Sequence, residues 1–462
     1  MMTRRITRAA TAVLALLLGV LQLTPATAGS EGRRTYTGMI DGAVYKVEMP
    51  VRWNGTLVLY SHPYYTAEMG EFPIGHAGRP ETAAWLLEHG YALAASDFTG
   101  RNGFAVETAL TDQIRLLDWF ETHVGRPRRT VATGSSMGAA IALMLAEQNP
   151  DRFDGALAMC GPLDLYAQWN LSLDVNFAIA TLLAPGEDID LVRAEDPASS
   201  VAALQQAVGR AMQTSQGRAR LALANAFANV PAWNSAHEPE PTDLVERIQQ
   251  LAVIDQFVLI GTFGPAGQAE LARRAGGNPS YNTGVDYGRQ LARSVRKDLV
   301  YDAYAAAGLD VRRDLAALAR APRIASDPVA ARYMQRLGVP RGTTPSPVLT
   351  LHNTGDAAVA DHERWFAGQV RAVGDPRRLR QLFSDRASHC AFSAAEEIVA
   401  FQALVERIGA GRWTDTSPGR MNAAAGRFGD EYQKVFDLAA GDAVRPPSFI
   451  RFTPPRLLRP SR

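Results

Sequence analysis

The sequence predicts an α/β protein: a mostly parallel, doubly wound sheet interrupted once by a large helical insertion. Three observations carry this. Short apolar, β-branched runs alternate with segments of helical period from Tyr36 to Cys160. The alternation stops between Gly161 and about Pro345, where Ala-, Leu- and Arg-rich helical segments are broken by Pro185, Gly186, Pro231, Pro239, Pro241 and Gly276-Gly277. It resumes at Pro347. A break of roughly 180 residues is far longer than a connecting loop, so it must fold as a helical subdomain of its own.

Tyr36 to Glu48 reads as two strands around the Asp41-Gly42 turn. Thr56 to Tyr60 is a buried strand, followed by the loop Ser61-His62-Pro63-Tyr64-Tyr65. Glu81 to Glu88 is a short helix ended by Gly90, and Tyr91 to Ser96 the next strand. Val106 to His123 has apolar residues at helical spacing and reads as a long helix. Thr130 to Thr133 is a strand, Ala139 to Glu147 a helix, and Phe153 to Cys160 another strand. Within the insertion, Val253 to Ile260 is strand-like in composition, and its state is left open. Beyond it, strands at Val348 to His352 and Leu379 to Phe383 alternate with helices at Asp361 to Val373 and Ala394 to Ile408. The last fifty residues read as an irregular tail that packs back, because Phe449, Ile450 and Phe452 need somewhere to bury.

The net charge of +1 offers no electrostatic case for nucleic acid or an anionic surface. Only three lysines occur (Lys46, Lys297 and Lys434), so the positive charge is almost all arginine. The first 28 residues read as an export signal. Arg4, Arg5 and Arg8 form a basic start, Ala9 to Leu23 an apolar core, and Ala26-Thr27-Ala28 a cleavage site, which predicts a mature chain from Gly29. The residues flanking Arg4-Arg5 fit a twin-arginine signal poorly. No other apolar stretch is long enough for a membrane span, so a soluble, secreted protein is expected.

Between the strand at Thr130 and the helix at Ala139, Gly134-Ser135-Ser136-Met137-Gly138 matches G-x-S-x-G. A nucleophile on a sharp strand-to-helix turn needs small neighbours, because the backbone is strained and the helix packs close. A serine hydroxyl also needs a base, and the base a carboxylate that fixes its tautomer. On this elbow, followed in chain order by a Gly355-Asp356 turn after a strand and by His389 in the loop after the last strand, the chain resembles the α/β-hydrolase superfamily. The resemblance covers about residues 36–165 and 346–410. It implies a hydrolase core over 29–165 and 346–462 with a helical cap over 166–345, in the manner of secreted bacterial esterases and peptidases.

The resemblance also assigns roles. Ser136 is the nucleophile, His389 the base and Asp356 its orienting acid, with Asp385 and Glu396 as nearby alternatives for the acid. Among the other histidines, His62 lies in the loop expected to help hold the oxyanion, His352 inside a strand, His89 and His123 at helix ends, and His76, His237 and His362 outside any acid–base context. The two oxyanion donors are expected from the Met137 N–H and from the loop after the Thr56–Tyr60 strand. Many relatives have His-Gly there. Here it is His62-Pro63, and proline has no N–H, which leaves Tyr64.

A second resemblance, to secreted tannases and feruloyl esterases that bridge a cysteine beside the serine to one just after the histidine, concerns the two cysteines. Here Ser135 precedes the nucleophile, and Cys160 ends the neighbouring strand. A Cys160–Cys390 disulfide is expected, with two buried free thiols as the alternative. No cofactor is required and no metal motif is present. Trp169, Phe177, Phe227, Trp233, Phe257 and Phe263 of the insertion form either an apolar acyl or aryl pocket or the insertion's own core. The expected activity is hydrolysis of small carboxylic esters through an acyl-enzyme. An amidase or aminopeptidase on the same triad is the alternative, and a binding protein on a dead hydrolase fold is a third. Glu187, Asp188 and Asp190 form an acidic run and read as solvated surface rather than an amine-binding cluster.

Overall fold

The computed structural model describes residues 32–66, 70 and 72–461. The export-signal expectation, over 1–28, lies outside them. Eleven strands form among the described residues: β1 (Arg34–Ile40), β2 (Ala43–Met49), β3 (Thr56–Ser61), β4 (Ala92–Ser96), β5 (Arg129–Ser135), β6 (Gly155–Met159), β7 (Val348–Gly355), β8 (Leu379–Ala387), β9 (Lys434–Asp437), β10 (Gly441–Val444) and β11 (Phe449–Ile450). Nine of them make one sheet in the order β1-β2-β4-β3-β5-β6-β7-β8-β11. The stretch from β4 to β8 is parallel throughout, and the edge strands pair antiparallel. The order reverses between β3 and β5, and such a switch point places a site at the C-terminal ends of the strands.

Both faces of the sheet are covered. Helix α1 (Pro80–Glu88) lies between β3 and β4, α2 (Val106–His123) between β4 and β5, and α3 (Met137–Gln148) between β5 and β6. Successive residues of β3 feed opposite cores, as a two-residue period requires. Leu57 and Leu59 pack with Phe120 of α2 and the apolar face of α3, while Val58 packs with Trp85 of α1 on the other side. The central strands are buried on both faces, which is why their sequences read as continuous apolar runs.

Nine helices and no strand lie between β6 and β7: α4 (Leu165–Leu183), α5 (Pro197–Ala211), α6 (Ser215–Ala226), α7 (Leu244–Ile254), α8 (Pro265–Ala275), α9 (Tyr287–Arg293), α10 (Lys297–Ala307), α11 (Val311–Arg320) and α12 (Pro328–Leu337). The strand-like run at Val253 extends α7 and then widens into a π-helical turn over Asp255–Ile260. Asp164, Asp196, Thr214, Asp243, Asp286 and Asp310 each cap a helix by accepting a backbone N–H. Helix α4 is buried around almost its whole girth, polar residues included.

The fold resumes with α13 (Asp361–Val373) between β7 and β8, then α14 (Ala394–Ala410) and α15 (Pro418–Ala425). The tail is more regular than its sequence suggests. Phe449 and Ile450 add β11 antiparallel to β8, and β9 pairs with β10 as a separate hairpin. No helix among the described residues is long and apolar enough to cross a membrane.

Candidate active site

Ser136 sits on the turn between β5 and α3 at φ 57°, ψ −124°, a conformation that L-residues rarely adopt. Close approach explains both flanking glycines. A Cβ on Gly138 would run into the Ser61 and His62 carbonyl oxygens, and one on Gly134 into the Gly138 carbonyl. The Ser136 N–H donates to the Met159 carbonyl at 2.9 Å, which ties the turn to β6. The α3 helix starts at Met137, so that residue's N–H is among the first four that lack an intrahelical acceptor.

The chain brings Ser136, His389 and Asp356 together from three places. His389 Nε2 lies 2.8 Å from Ser136 Oγ, and His389 Nδ1 lies 2.8 and 3.1 Å from the two Asp356 oxygens. Asp356 is fully buried and Ser136 nearly so, while the His389 side chain is 37% exposed, so the group opens to solvent on the histidine side. A bulge in the β7–β8 ladder between Asn353 and Gly355 turns the strand end and aims Asp356 at His389. A Cβ on Gly355 would meet the Trp233 ring and Ala387. The Ala358 N–H donates to Asp356 Oδ1 at 2.8 Å.

The alternative acids lie elsewhere. Glu396 is buried against Arg386 at 2.7 Å and caps α14 through the Ser393 N–H. Asp385 is exposed and accepts from Thr354 at 3.3 Å.

Cys160 and Cys390 form a disulfide that joins the end of β6 to the His389 loop, 230 residues later in the chain. Ser388 at φ 70°, Cys390 at φ 55° and Cys160 at φ 48° all hold left-handed backbone, as Ser136 does. Four strained non-glycine residues therefore meet within one loop cluster, and the covalent bridge spans it.

His62 is a scaffold residue. Its ring stacks on Phe98 at 4.0 Å and Tyr65 at 4.7 Å, and its Nδ1–H donates to the Pro63 carbonyl at 2.7 Å. Burial pushes its pKa down to about 4, so it is uncharged at neutral pH. Tyr64 follows it, half-buried, its ring 6.2 Å from Trp169 and 6.4 Å from Phe263. Trp169 and Phe263 meet edge to face at 5.0 Å. A cavity of about 450 Å³ opens between the Tyr64–Thr66 loop and α8, with Tyr64, Gly103, Thr262, Glu270, Arg273 and Arg274 on its walls.

Of the other aromatic residues singled out in the insertion, Phe177, Phe227 and Trp233 are buried in packing, and Phe257 points outward at 62% exposed. Glu187, Asp188 and Asp190 are all exposed, and Glu187 pairs with Arg210. His89 and His123 bond the carbonyls four residues back at their helix ends. His76 and His237 are engaged with Glu48 and the Val435 carbonyl. His362 is buried against Gln168, and burial pushes its pKa down to about 3. His352 is fully buried behind Asp356, beside Glu363, a pairing the sequence reading did not anticipate. Its only sequence signal is that both residues flank Asp356 in the β7–α13 segment.

Known proteins resemble the chain in part or along most of its length. The family model named Esterase matches residues 72–236, which includes the Ser136 turn and stops before Asp356 and His389. An o-phthalyl amidase from Xanthobacter agilis is 27% identical over 415 residues, covering 83% of this chain and 89% of that protein. Among solved structures, an esterase/lipase from an uncultured bacterium is 12% identical over 87% of this chain and 88% of its own, with a TM-score of 0.36. A Pyrococcus furiosus esterase is 11% identical over 84% and 97%, also at 0.36. Likenesses that distant carry no weight for activity.

Proposed function

We propose that this chain, a hydrolase of ester or amide bonds on an α/β-hydrolase fold, cleaves carboxylic esters through Ser136, His389 and Asp356. The observation that carries the reading is the unbroken hydrogen-bond chain from Asp356 through His389 to Ser136. With Nδ1–H donated to the buried carboxylate, His389 Nε2 holds a lone pair against the Ser136 hydroxyl. Ser136 Oγ attacks the carbonyl carbon while His389 takes its proton. The tetrahedral oxyanion is held by the Met137 and Tyr64 N–H groups. His389 then protonates the leaving alcohol, and the acyl-enzyme remains. Water, deprotonated by His389, attacks the acyl carbon, and the carboxylic acid leaves as Ser136 regains its proton.

Residues 166–345 act as the cap over this site, on the core of 29–165 and 346–462. The Tyr64–Trp169–Phe263 cluster supplies aromatic contact area for an apolar acyl or aryl group at low entropic cost, while the cavity that Tyr64 also lines carries Glu270, Arg273 and Arg274. Secretion after removal of residues 1–28 accords with the Cys160–Cys390 bridge, which persists in oxidising compartments.

A second reading, amide hydrolysis on the same groups, is favoured by the relative named an amidase. Hydrolysis of a p-nitrophenyl ester series and of the matched anilides, including an o-phthalyl amide, separates the two. Ser136→Ala should lower kcat on the preferred substrate by on the order of 10⁴-fold or more. A Ser136→Ala protein with wild-type turnover would end both readings.

A further inference from the structure

Behind Asp356 lies a second set of buried polar groups that the reaction above does not use. Thr350 and His352 share one face of β7, two residues apart, and both reach Glu363 on α13. Thr350 Oγ1 donates to Glu363 Oε2 at 2.6 Å, and Gln381 from β8 donates to the same oxygen at 2.5 Å. His352 Nδ1 lies 3.3 Å from Glu363 Oε1. His352 Nε2 lies 2.9 Å from the Ala358 carbonyl and 3.8 Å from Asp356 Oδ2. His352, Glu363 and Asp356 are all essentially inaccessible to water.

Both ring nitrogens of His352 therefore face acceptors, a carboxylate on one side and a carbonyl on the other. A neutral imidazole has one donor nitrogen and satisfies only one of them, whereas an imidazolium satisfies both. Burial by itself lowers the histidine's pKa. The Glu363 hydrogen bond and the Asp356 and Glu363 charges outweigh that and raise it. The titratable groups facing His352 are Glu363, Asp361 and His362 of α13 and Asp356 of the loop before it. Of these, His362 is neutral, and burial pushes Asp361 up to about 7 against the pull of Asn229 and Arg296.

Ala358 connects this set to the site. Its carbonyl accepts from His352 and its N–H donates to Asp356 Oδ1. The path runs from Thr350 and Gln381 through Glu363, His352 and Ala358 to Asp356, and onward to His389 and Ser136.

We propose that His352, held as an imidazolium by Glu363, is a positioning residue for the hydrolysis: it fixes Ala358, and through it Asp356, and sets a positive charge behind that buried carboxylate. The inference rests on the Ser136–His389–Asp356 reading. A carboxylate without water needs compensating donors and charge, and a displacement of about 1 Å at the triad can cost on the order of 10²-fold in rate.

The test uses Glu363→Gln, which removes the carboxylate that holds the His352 proton, and the double variant His352→Gln/Glu363→Gln, which removes both charges of the pair. A fluorophosphonate counts competent Ser136 sites, and kcat, KM and the pH profile on one p-nitrophenyl ester are taken per labelled site. The double variant is expected to lose about tenfold or more in kcat with KM nearly unchanged. The acidic limb of kcat/KM should move to higher pH by about half a unit or more in the double variant, and in the same direction in Glu363→Gln. The sign follows because turnover needs a proton-free His389 Nε2: the imidazolium lies nearer Asp356 than Glu363 does, so losing the pair, or letting His352 go neutral without Glu363, leaves the site readier to take up a proton. Glu363→Gln, which keeps the side-chain shape, carries the test if the double variant does not accumulate. Wild-type kcat per labelled site with an unmoved acidic limb would overturn the proposal, even with a lower Tm, because a purely structural role predicts that pattern. Failure of the underlying reading looks different: wild-type protein that no fluorophosphonate labels, or Ser136→Ala that still turns over.

Discussion

The loop cluster at the ends of β5 to β8 and the interior of the helical insertion both bury polar groups, but they satisfy them differently. In the loop cluster one connected path of buried donors and acceptors ends on Ser136, beside a separate set around Arg386 and Glu396. In the insertion, oxygens of Asn176, Asn225 and Asp255, and both polar atoms of Gln268, have no partner. The insertion also draws on the chain's far end. Arg459 reaches Asp174 on α4 at 2.8 Å, and Ser461 bonds Asp164. A connected path suits groups that must hold their geometry through a reaction, whereas a patchwork suits packing with an adjustable shape. On the proposed reading, catalysis falls to the first region, while the second holds the buried Asp174–Arg459 pair.

The largest expected effect that would sharpen this contrast is on stability. Arg459→Met leaves Asp174 buried without its charge partner, and burial already raises that carboxyl. A loss of about 3–5 kcal/mol is expected in denaturant unfolding, with turnover per labelled site retained. Turnover that fell in step with stability would blur the division.

Next comes the disulfide. Cys160→Ala/Cys390→Ala frees a loop of 230 residues. The expected loss is about 2–5 kcal/mol. Here turnover per site should fall too, because the bridge holds the His389 loop. Unchanged turnover would make the bridge a plain staple.

The smallest effect is a pH dependence. Burial pushes Asp255 up to about 7, and Glu397 beneath α1 likewise. In each case the folded value lies above the ordinary one, so the unfolded chain gives up its proton first. These two groups therefore favour folding below about pH 4, and that contribution is lost as pH rises from about 4 to about 7. Asp255→Asn keeps the shape and the Asn225 donor. Its Tm should exceed that of the wild type by a few degrees at pH 8 and by little at pH 4, as read by thermal melts.

Much of the sheet was legible because its signals are local. Val106 to His123 gave the bounds of α2 directly, and the Gly134–Gly138 pattern marked the turn because both glycines answer to nearby backbone. Ser136, Asp356 and His389 were readable as a set through chain order, although 253 residues separate the serine from the histidine. The oxyanion loop was readable only to the point that Pro63 cannot donate. What escaped was fixed by distant partners. His352 looks like any polar residue in a strand until α13 delivers Glu363. The run Asp255–Ile260 has strand composition, yet it follows α7 without a break and its buried side packs on helices. Two residues of β11 are too few to show a period, and Phe449 takes its place from the β8 edge.

The pairing of Asp174 with Arg459 also sets an order in time. The two residues are 285 positions apart, and the aspartate emerges first during synthesis. Helix α4 can coil early, but its acid has no cation to meet until almost all of the described chain has been made. That contact of the insertion can thus close only when synthesis has reached Arg459, just after the edge strand β11. Contacts spanning that much chain close slowly.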